Sequence, residues 1–152
     1  METFTIYTDG ACSGNPGAGA WAFVLLADKK EISKSGFHAK TTNNRMELLA
    51  AIEALNEVEK FLREQKSEKF SIDFFSDSQY VKNGITTWIY NWKKNNWKTA
   101  NKKPVANRDL WETLDTLSQQ FSISWHWVKG HAGNKYNEIC DALCQRAISE
   151  NR

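Results

Sequence analysis

The sequence predicts a mixed α/β fold: a five-stranded mixed sheet with helices packed on it. Three observations lead there. Short runs of β-branched and aromatic residues, bounded by glycine and polar clusters, recur along the chain. Between them, one long run carries apolar residues at three- and four-residue steps, which is the helical period. The runs come in the order three strands, helix, strand, helices, strand, helix, which suits helices laid on a sheet.

Residues 4–8 (FTIYT), 20–27 (AWAFVLLA) and 31–38 read as the first three strands. Gly10, Gly14, Pro16, Gly17 and Gly19 make the first connection tight. Their spacing is not the GxGxxG of dinucleotide-binding folds, and no helix follows them. Residues 44–64 are the clearest helix, with Leu48, Ala51, Ile52, Leu55, Val58 and Leu62 on one stripe. Residues 70–75 (FSIDFF) read as a buried strand, and Asp77-Ser78 opens another helical stretch. Trp88, Trp92 and Trp97 punctuate residues 88–97. Residues 107–118 form a short amphipathic helix through Leu110, Trp111, Leu114 and Leu117. Residues 123–128 (ISWHWV) are the last strand. The closing helix runs from 134 to 149, with Tyr136, Ile139, Cys140, Leu143, Ala147 and Ile148 facing inward. With no repeat, low-complexity tract or linker, residues 1–152 read as a single domain.

At 152 residues, 41% hydrophobic and 25% charged, the composition is that of a globular protein. No apolar run nears the roughly 18 residues that span a bilayer. The N-terminus lacks the basic start and apolar stretch of a signal peptide, so no membrane and a cytoplasmic location are expected. Cys12, Cys140 and Cys144 are too few and too oddly numbered for a disulfide framework. Cys140 and Cys144 read as small apolar residues on a buried helix face rather than as metal ligands. The net charge of +2 hides an uneven distribution. Residues 78–108 hold Lys82, Lys93, Lys94, Lys98, Lys102, Lys103 and Arg108 with no acid, a local charge of +7, so the rest of the chain carries −5. A basic patch on an acidic body suits a polyanionic partner.

Four carboxylates stand out by position. Asp9 follows the first strand and Asp77 the fourth; Glu47 lies in the first turn of the long helix, and Asp141 flanks the apolar stripe of the last. Each has an ordinary structural use. Asp9-Gly10 suits a hairpin turn, and Asp77 suits a helix N-cap. Glu47, three residues after Asn44, suits a capping box. Asp141 suits a polar helix face. Taken together they point elsewhere, because open sheets with helices place ligands at strand ends. If the first and fourth strands are adjacent and parallel, the two aspartates converge. Like charges about 4 Å apart repel by roughly 4 kcal/mol at an effective dielectric near 20. Such a cluster calls for cations, and carboxylate oxygens suit Mg²⁺. Two such ions about 4 Å apart suit a phosphoryl displacement.

In YTDGACSGNPG (7–17), TTNNRMELLAAIEAL (41–55), DSQYVKNGITTWIYNWKKNNWKTANKKPV (77–105) and WVKGHAGNKYNEICD (127–141), the chain closely resembles bacterial-type ribonuclease H of type 1. These stretches span nearly the whole chain and occur in that family's order. The resemblance implies the ribonuclease H-like fold and an endonuclease that cuts the RNA strand of RNA–DNA hybrids. It implies a two-metal-ion mechanism that leaves 5′-phosphate and 3′-hydroxyl ends. Asp9, Glu47, Asp77 and Asp141 would hold two Mg²⁺ ions, with Mn²⁺ as a substitute. His131, in KGHAG, would be the mobile histidine that assists proton transfer or product release.

By the same resemblance Cys12, Asn15, Asn43, Asn44 and Gln79 line the hybrid's minor groove, and Thr42 belongs to a DNA phosphate pocket. A basic handle, about 88–105, sets Trp88 against a deoxyribose and Lys93, Lys94, Lys98, Lys102 and Lys103 near phosphates. Trp92 and Trp97 read as a small core between helices, and His38 and His126 as structural. The expected partner is an RNA–DNA hybrid, bound by a monomer with no obligate protein partner. The charged run 56–70 is longer than in familiar members and is expected to extend the helix or loop there. Asn95-Asn96 replaces a more basic pair, and Asn101 stands where an acid is common. Two other functions are compatible with parts of the sequence. A DNA-directed nuclease of the same superfamily is disfavoured by the handle and the TNNRME stretch. A hybrid-binding module without catalysis is disfavoured by the presence of all four acids and His131.

Overall fold

The computed structural model describes residues 2–27, 29–65, 70–128 and 134–151. Five strands form one sheet: β1 (Glu2–Ser13), β2 (Gly17–Ala27), β3 (Lys30–Thr41), β4 (Phe70–Ser76) and β5 (Ile123–Trp127), in the order β3-β2-β1-β4-β5. The β1–β2 and β2–β3 pairs are antiparallel, while β1–β4 and β4–β5 are parallel. The sheet is therefore mixed, as the order of elements implies.

Five α-helices complete the described fold. They are α1 (Asn43–Gln65), α2 (Gln79–Asn83), α3 (Ile89–Lys94), α4 (Arg108–Gln119) and α5 (Lys135–Asn151). A π-helical turn, Gly84–Trp88, joins α2 to α3. None of the described helices is long and apolar enough to cross a membrane.

The core lies on both faces of the sheet. One cluster joins Phe4, Ile6, Phe23, Leu25, Ile72 and Phe74 to Leu48 and Leu55 of α1 and to Trp111 and Leu114 of α4. A smaller one joins Ala20, Ala22 and Val24 to Cys140, Cys144, Ala147 and Ile148 of α5. This explains why β2 is apolar without alternation: a strand covered on both faces has no solvent side. Its alanines let α5 approach closely. The thiols of Cys140 and Cys144 behave as small core groups, both fully buried.

One strand boundary is corrected, and three of the ordinary uses open to the acids are not taken. β1 does not stop at residue 8. It continues to Ser13, with Asp9 opposite Ala22 and Gly10 opposite Trp21 of β2. Asp9-Gly10 is therefore strand, not a hairpin turn. The turn falls beyond it, where Gly14 takes φ +84°, a conformation that favours glycine. At the start of α1 the cap is Thr42, whose Oγ1 accepts the Arg45 N–H at 3.2 Å. At the start of α2 it is Ser78, whose Oγ accepts the Val81 N–H at 3.1 Å. Neither Asn44 nor Asp77 caps its helix. The charged run after residue 56 is helical through Gln65.

Candidate active site

The site is built where β1 leaves β4. Their last paired residues are Tyr7 and Phe75. Carrying that register on by two residues sets Asp9 level with Asp77, so the adjacent, parallel arrangement that would make the aspartates converge is present. Asp9 is 8% exposed and Glu47 6% exposed, while Asp77 is half-buried. One carboxylate oxygen from each lies within 4.8 Å of the other two.

Gly10 brings Glu47 to this point. Its N–H donates to Glu47 Oε1 at 2.7 Å and to Asp9 Oδ1 at 3.0 Å. A Cβ at residue 10 would lie 2.5 Å from the Glu47 backbone nitrogen and 2.6 Å from the Met46 carbonyl carbon. Only glycine lets the strand backbone meet the first turn of α1 there. Glu47 thus turns away from its own helix start and joins β1, and the capping box with Asn44 does not form. Because Ser78 takes the cap of α2, the Asp77 carboxylate is spared that task.

Burial raises the Glu47 carboxyl well above its ordinary range. The charges of Asp9 and then Asp77 raise it further, while the Gly10 N–H and the Ser78 hydroxyl oppose the rise. Three crowded acids, two of them buried, are an unfavourable arrangement on their own. They are a fitting one for a hard divalent cation, which takes oxygen donors. The nearby thiols offer no competing soft site. Cys140 Sγ lies 3.4 Å from the Tyr7 carbonyl oxygen, and Cys144 Sγ lies 3.6 Å from that of Asp9. Burial, then the Asp9 charge, pushes the Cys140 thiol up to about 12. The same two causes raise Cys144 further still.

Asp141, half-buried on α5, does not join the 4.8 Å cluster. Its helix nevertheless lies in the cluster's field, since the charges of Asp9, Asp77 and Glu47 all raise the Cys140 thiol beside it. His131 lies outside the described residues. One residue escaped the sequence reading. Asn137, one helical turn before Asp141, is 5% exposed, and its Nδ2 and Oδ1 have no hydrogen-bond partner among the described residues. An asparagine beside Tyr136 and Cys140 of the inward stripe was the available signal.

The remaining predicted residues fall into two groups around the acids. Cys12, Asn15, Thr42 and Asn43 come together: Asn15 Oδ1 accepts the Asn43 N–H at 3.2 Å, and Cys12 Sγ lies 3.4 Å from the Thr41 carbonyl oxygen. The β1–β2 turn and the start of α1 are therefore one unit. Asn44 and Gln79 are exposed, with Gln79 two residues after Asp77. On the other side Trp88 is half-buried, its ring 5.8 Å from those of both Tyr80 and Trp92. Trp92 and Trp97 pack on the α1-side core. Lys94 and Lys98 are exposed. Lys93 is paired within the chain, its Nζ 2.7 Å from Asp115 Oδ2 on α4. A segment without acids in sequence thus meets one in space. His126, on β5, stacks on Phe75 and lies 2.9 Å from Asp73 Oδ1, while His38 is exposed on β3.

The family model described as RNase H matches residues 1–149. A Ribonuclease H of Rhodopseudomonas palustris strain TIE-1 is 54% identical over 147 residues, covering 97% of this chain and 90% of the relative. A Ribonuclease H of Treponema denticola is 53% identical over 154 residues, covering 95% of this chain and 96% of the relative. Among solved structures, LC9-RNase H1, described as a type 1 RNase H with the type 2 active-site motif, superposes with a TM-score of 0.83 at 27% identity, covering 99% of this chain and 74% of that one. LC11-RNase H1 in complex with RNA/DNA hybrid shares the fold, with a TM-score of 0.72 at 20% identity and 97% of both chains covered.

Proposed function

The chain belongs to the RNase H family, and from that membership we propose that it is an endoribonuclease that hydrolyses the RNA strand of RNA–DNA hybrids. The observation that carries the mechanism is the carboxylate cluster of Asp9, Glu47 and Asp77, held together by the Gly10 N–H. Its all-oxygen donor set suits divalent cations, two Mg²⁺ in our reading, with Asp141 as a fourth ligand and Mn²⁺ as a substitute. When bound, such ions supply Lewis-acid activation of water and neutralise charge at the leaving oxygen. The chain's own residues do the placing. Gly10 and Ser78 orient the Glu47 carboxylate through hydrogen bonds. Asp9 and Asp77 reach the same point from adjacent parallel strands, Asp9 within β1 and Asp77 just past β4. His131 serves proton transfer or product release.

Cys12, Asn15, Asn43, Asn44 and Gln79 would read the minor groove, where a 2′-hydroxyl distinguishes RNA from DNA. Thr42, Trp88, Lys94 and Lys98 would hold the DNA strand, and Lys93 would contribute once freed from Asp115. The protein is read as one domain over 1–152, a monomer acting in the cytoplasm, in keeping with three free thiols.

Because the carboxylates and the basic segment are separate parts, Asp9→Asn is expected to abolish turnover while leaving hybrid affinity within about threefold, by the reasoning that separates transition-state loss from binding loss. Steady-state cleavage and a binding titration on the same hybrid check it. Binding that collapses in a folded Asp9→Asn protein contradicts the division of labour.

A further inference from the structure

Four rings stack in a row across β5, β4, β1 and the start of α5. His126 of β5 lies on Phe75 of β4, with ring centroids 4.6 Å apart and planes 14° apart. Phe75 lies on Tyr7 of β1 at 4.9 Å and 13°, and Tyr7 lies on Tyr136 of α5 at 5.0 Å and 30°. The first two contacts follow the sheet, since Phe75 pairs in register with His126 on one side and with Tyr7 on the other. The third leaves the sheet and reaches the second residue of α5. At the far end His126 is tied to Asp73 Oδ1 of β4 at 2.9 Å.

The row runs beside the acids. Tyr7 is two residues before Asp9 and Phe75 two before Asp77, while Tyr136 is five before Asp141, about 7.5 Å along the helix axis. Phe75, Tyr7 and Tyr136 therefore each sit on an element that carries, or leads directly to, one acid. Further along α5 the helix rests on the sheet through small groups. Cys140 Sγ is 3.4 Å from the Tyr7 carbonyl oxygen, and Cys144 Sγ is 3.7 Å from that of Ala20. At the start of α5 the contact with β1 is instead ring on ring. That first turn is also firmly built, because Asn134 Oδ1 accepts the N–H groups of Tyr136 at 3.0 Å and Asn137 at 3.1 Å.

We propose that Tyr136 is a positioning residue: stacked on Tyr7, it sets the tilt of α5 on β1, and so how far Asp141 stands from Asp9, Glu47 and Asp77. This rests on the reading in which Asp141 is the fourth ligand of a divalent-metal site. Tyr136 acts through Asp141 and holds no ion itself. Tyr136→Ala removes the ring, whereas Tyr136→Phe keeps it and the stack with it. Tyr136→Leu keeps apolar bulk without a stack, and serves if the alanine variant does not fold.

Two readouts test it: calorimetric titration of the protein with Mg²⁺, and the Mg²⁺ concentration that half-saturates hybrid cleavage. Tyr136→Ala should weaken Mg²⁺ binding about three- to tenfold, the size of one aromatic pair, and raise the half-saturating concentration in step. KM for the hybrid at saturating Mg²⁺ should stay within about twofold, because the basic segment is untouched. Tyr136→Phe should restore Mg²⁺ binding to within about twofold of wild type. In an Asp141→Asn background Tyr136→Ala should shift Mg²⁺ binding by less than about twofold, since the two act through one carboxylate. An Mg²⁺ affinity unmoved by Tyr136→Ala, with or without a fall in melting temperature, overturns the inference. So does a loss that Tyr136→Phe shares, or one of equal size in the Asp141→Asn background. A folded wild-type protein that binds Mg²⁺ and does not cut the hybrid overturns the hybrid-cleavage reading, whereas wild-type cleavage whose Mg²⁺ dependence Tyr136→Ala reproduces overturns this inference alone.

Discussion

Glu47 has the most telling environment of any single residue. Its carboxyl is raised above an ordinary 4.5, first by burial and then by Asp9 and Asp77. A raised acid binds its proton more tightly folded than unfolded, so its ionisation opposes folding. In metal-free protein that penalty is absent below about pH 4, the ordinary carboxylate range, and grows as pH rises from there through the raised value. Glu47→Gln should therefore melt higher than wild type at pH 8, by about 2–4 °C for each kcal/mol relieved in a chain of this size. The gap should close as pH falls toward 4, and added Mg²⁺ should raise the wild type more than the variant. Thermal melts across pH, with and without the ion, test this; a variant that melts lower at pH 8 contradicts it. At this scale the acids themselves were legible, but their local uses were not. Asp77 stands beside Ser78, and Asn44 two residues after Thr42; each pair offers two chemically fit caps, and only the chain's path selects between them.

Among the elements, the contact of β1 with α1 decides whether the site exists. Gly10→Ala would drive a methyl into the backbone of Glu47 and Met46. Overpacking of this kind costs about 1–3 kcal/mol. We expect a melting temperature lower by several degrees and a loss of activity larger than the loss of stability implies, because Glu47 moves with α1. Wild-type turnover in a folded Gly10→Ala protein would contradict that account. The basic segment carries a second expectation. Lys94 is exposed while Lys93 is held by Asp115. Lys94→Ala should reduce the slope of log affinity against log salt by about 0.7–0.9, one phosphate contact, and Lys93→Ala by less. Equal slopes for the two variants would show that the Asp115 pair yields to the hybrid. Both features mark the limit of sequence reading. A count of acids between residues 78 and 108 is blind to Asp115, and the glycine of YTDG reads as a turn residue until the helix beside it is seen.

Across the whole molecule, the order of elements and the two apolar patterns were enough to anticipate a mixed sheet covered by helices. What they left open was adjacency. β1 and β4 are separated by β2, β3 and α1 in the chain, and no local signal states that they pair in parallel. That pairing converts scattered acids into one site. Strand-specific cleavage tests the resulting account most directly. Each strand of an RNA–DNA hybrid is labelled in turn and incubated with Mg²⁺, beside duplex DNA, duplex RNA and the Asp77→Asn protein. RNA-strand cuts confined to the hybrid and absent with Asp77→Asn are the predicted result. A folded wild-type protein that binds the hybrid and cuts neither strand, or one that cuts duplex DNA as readily, would contradict it.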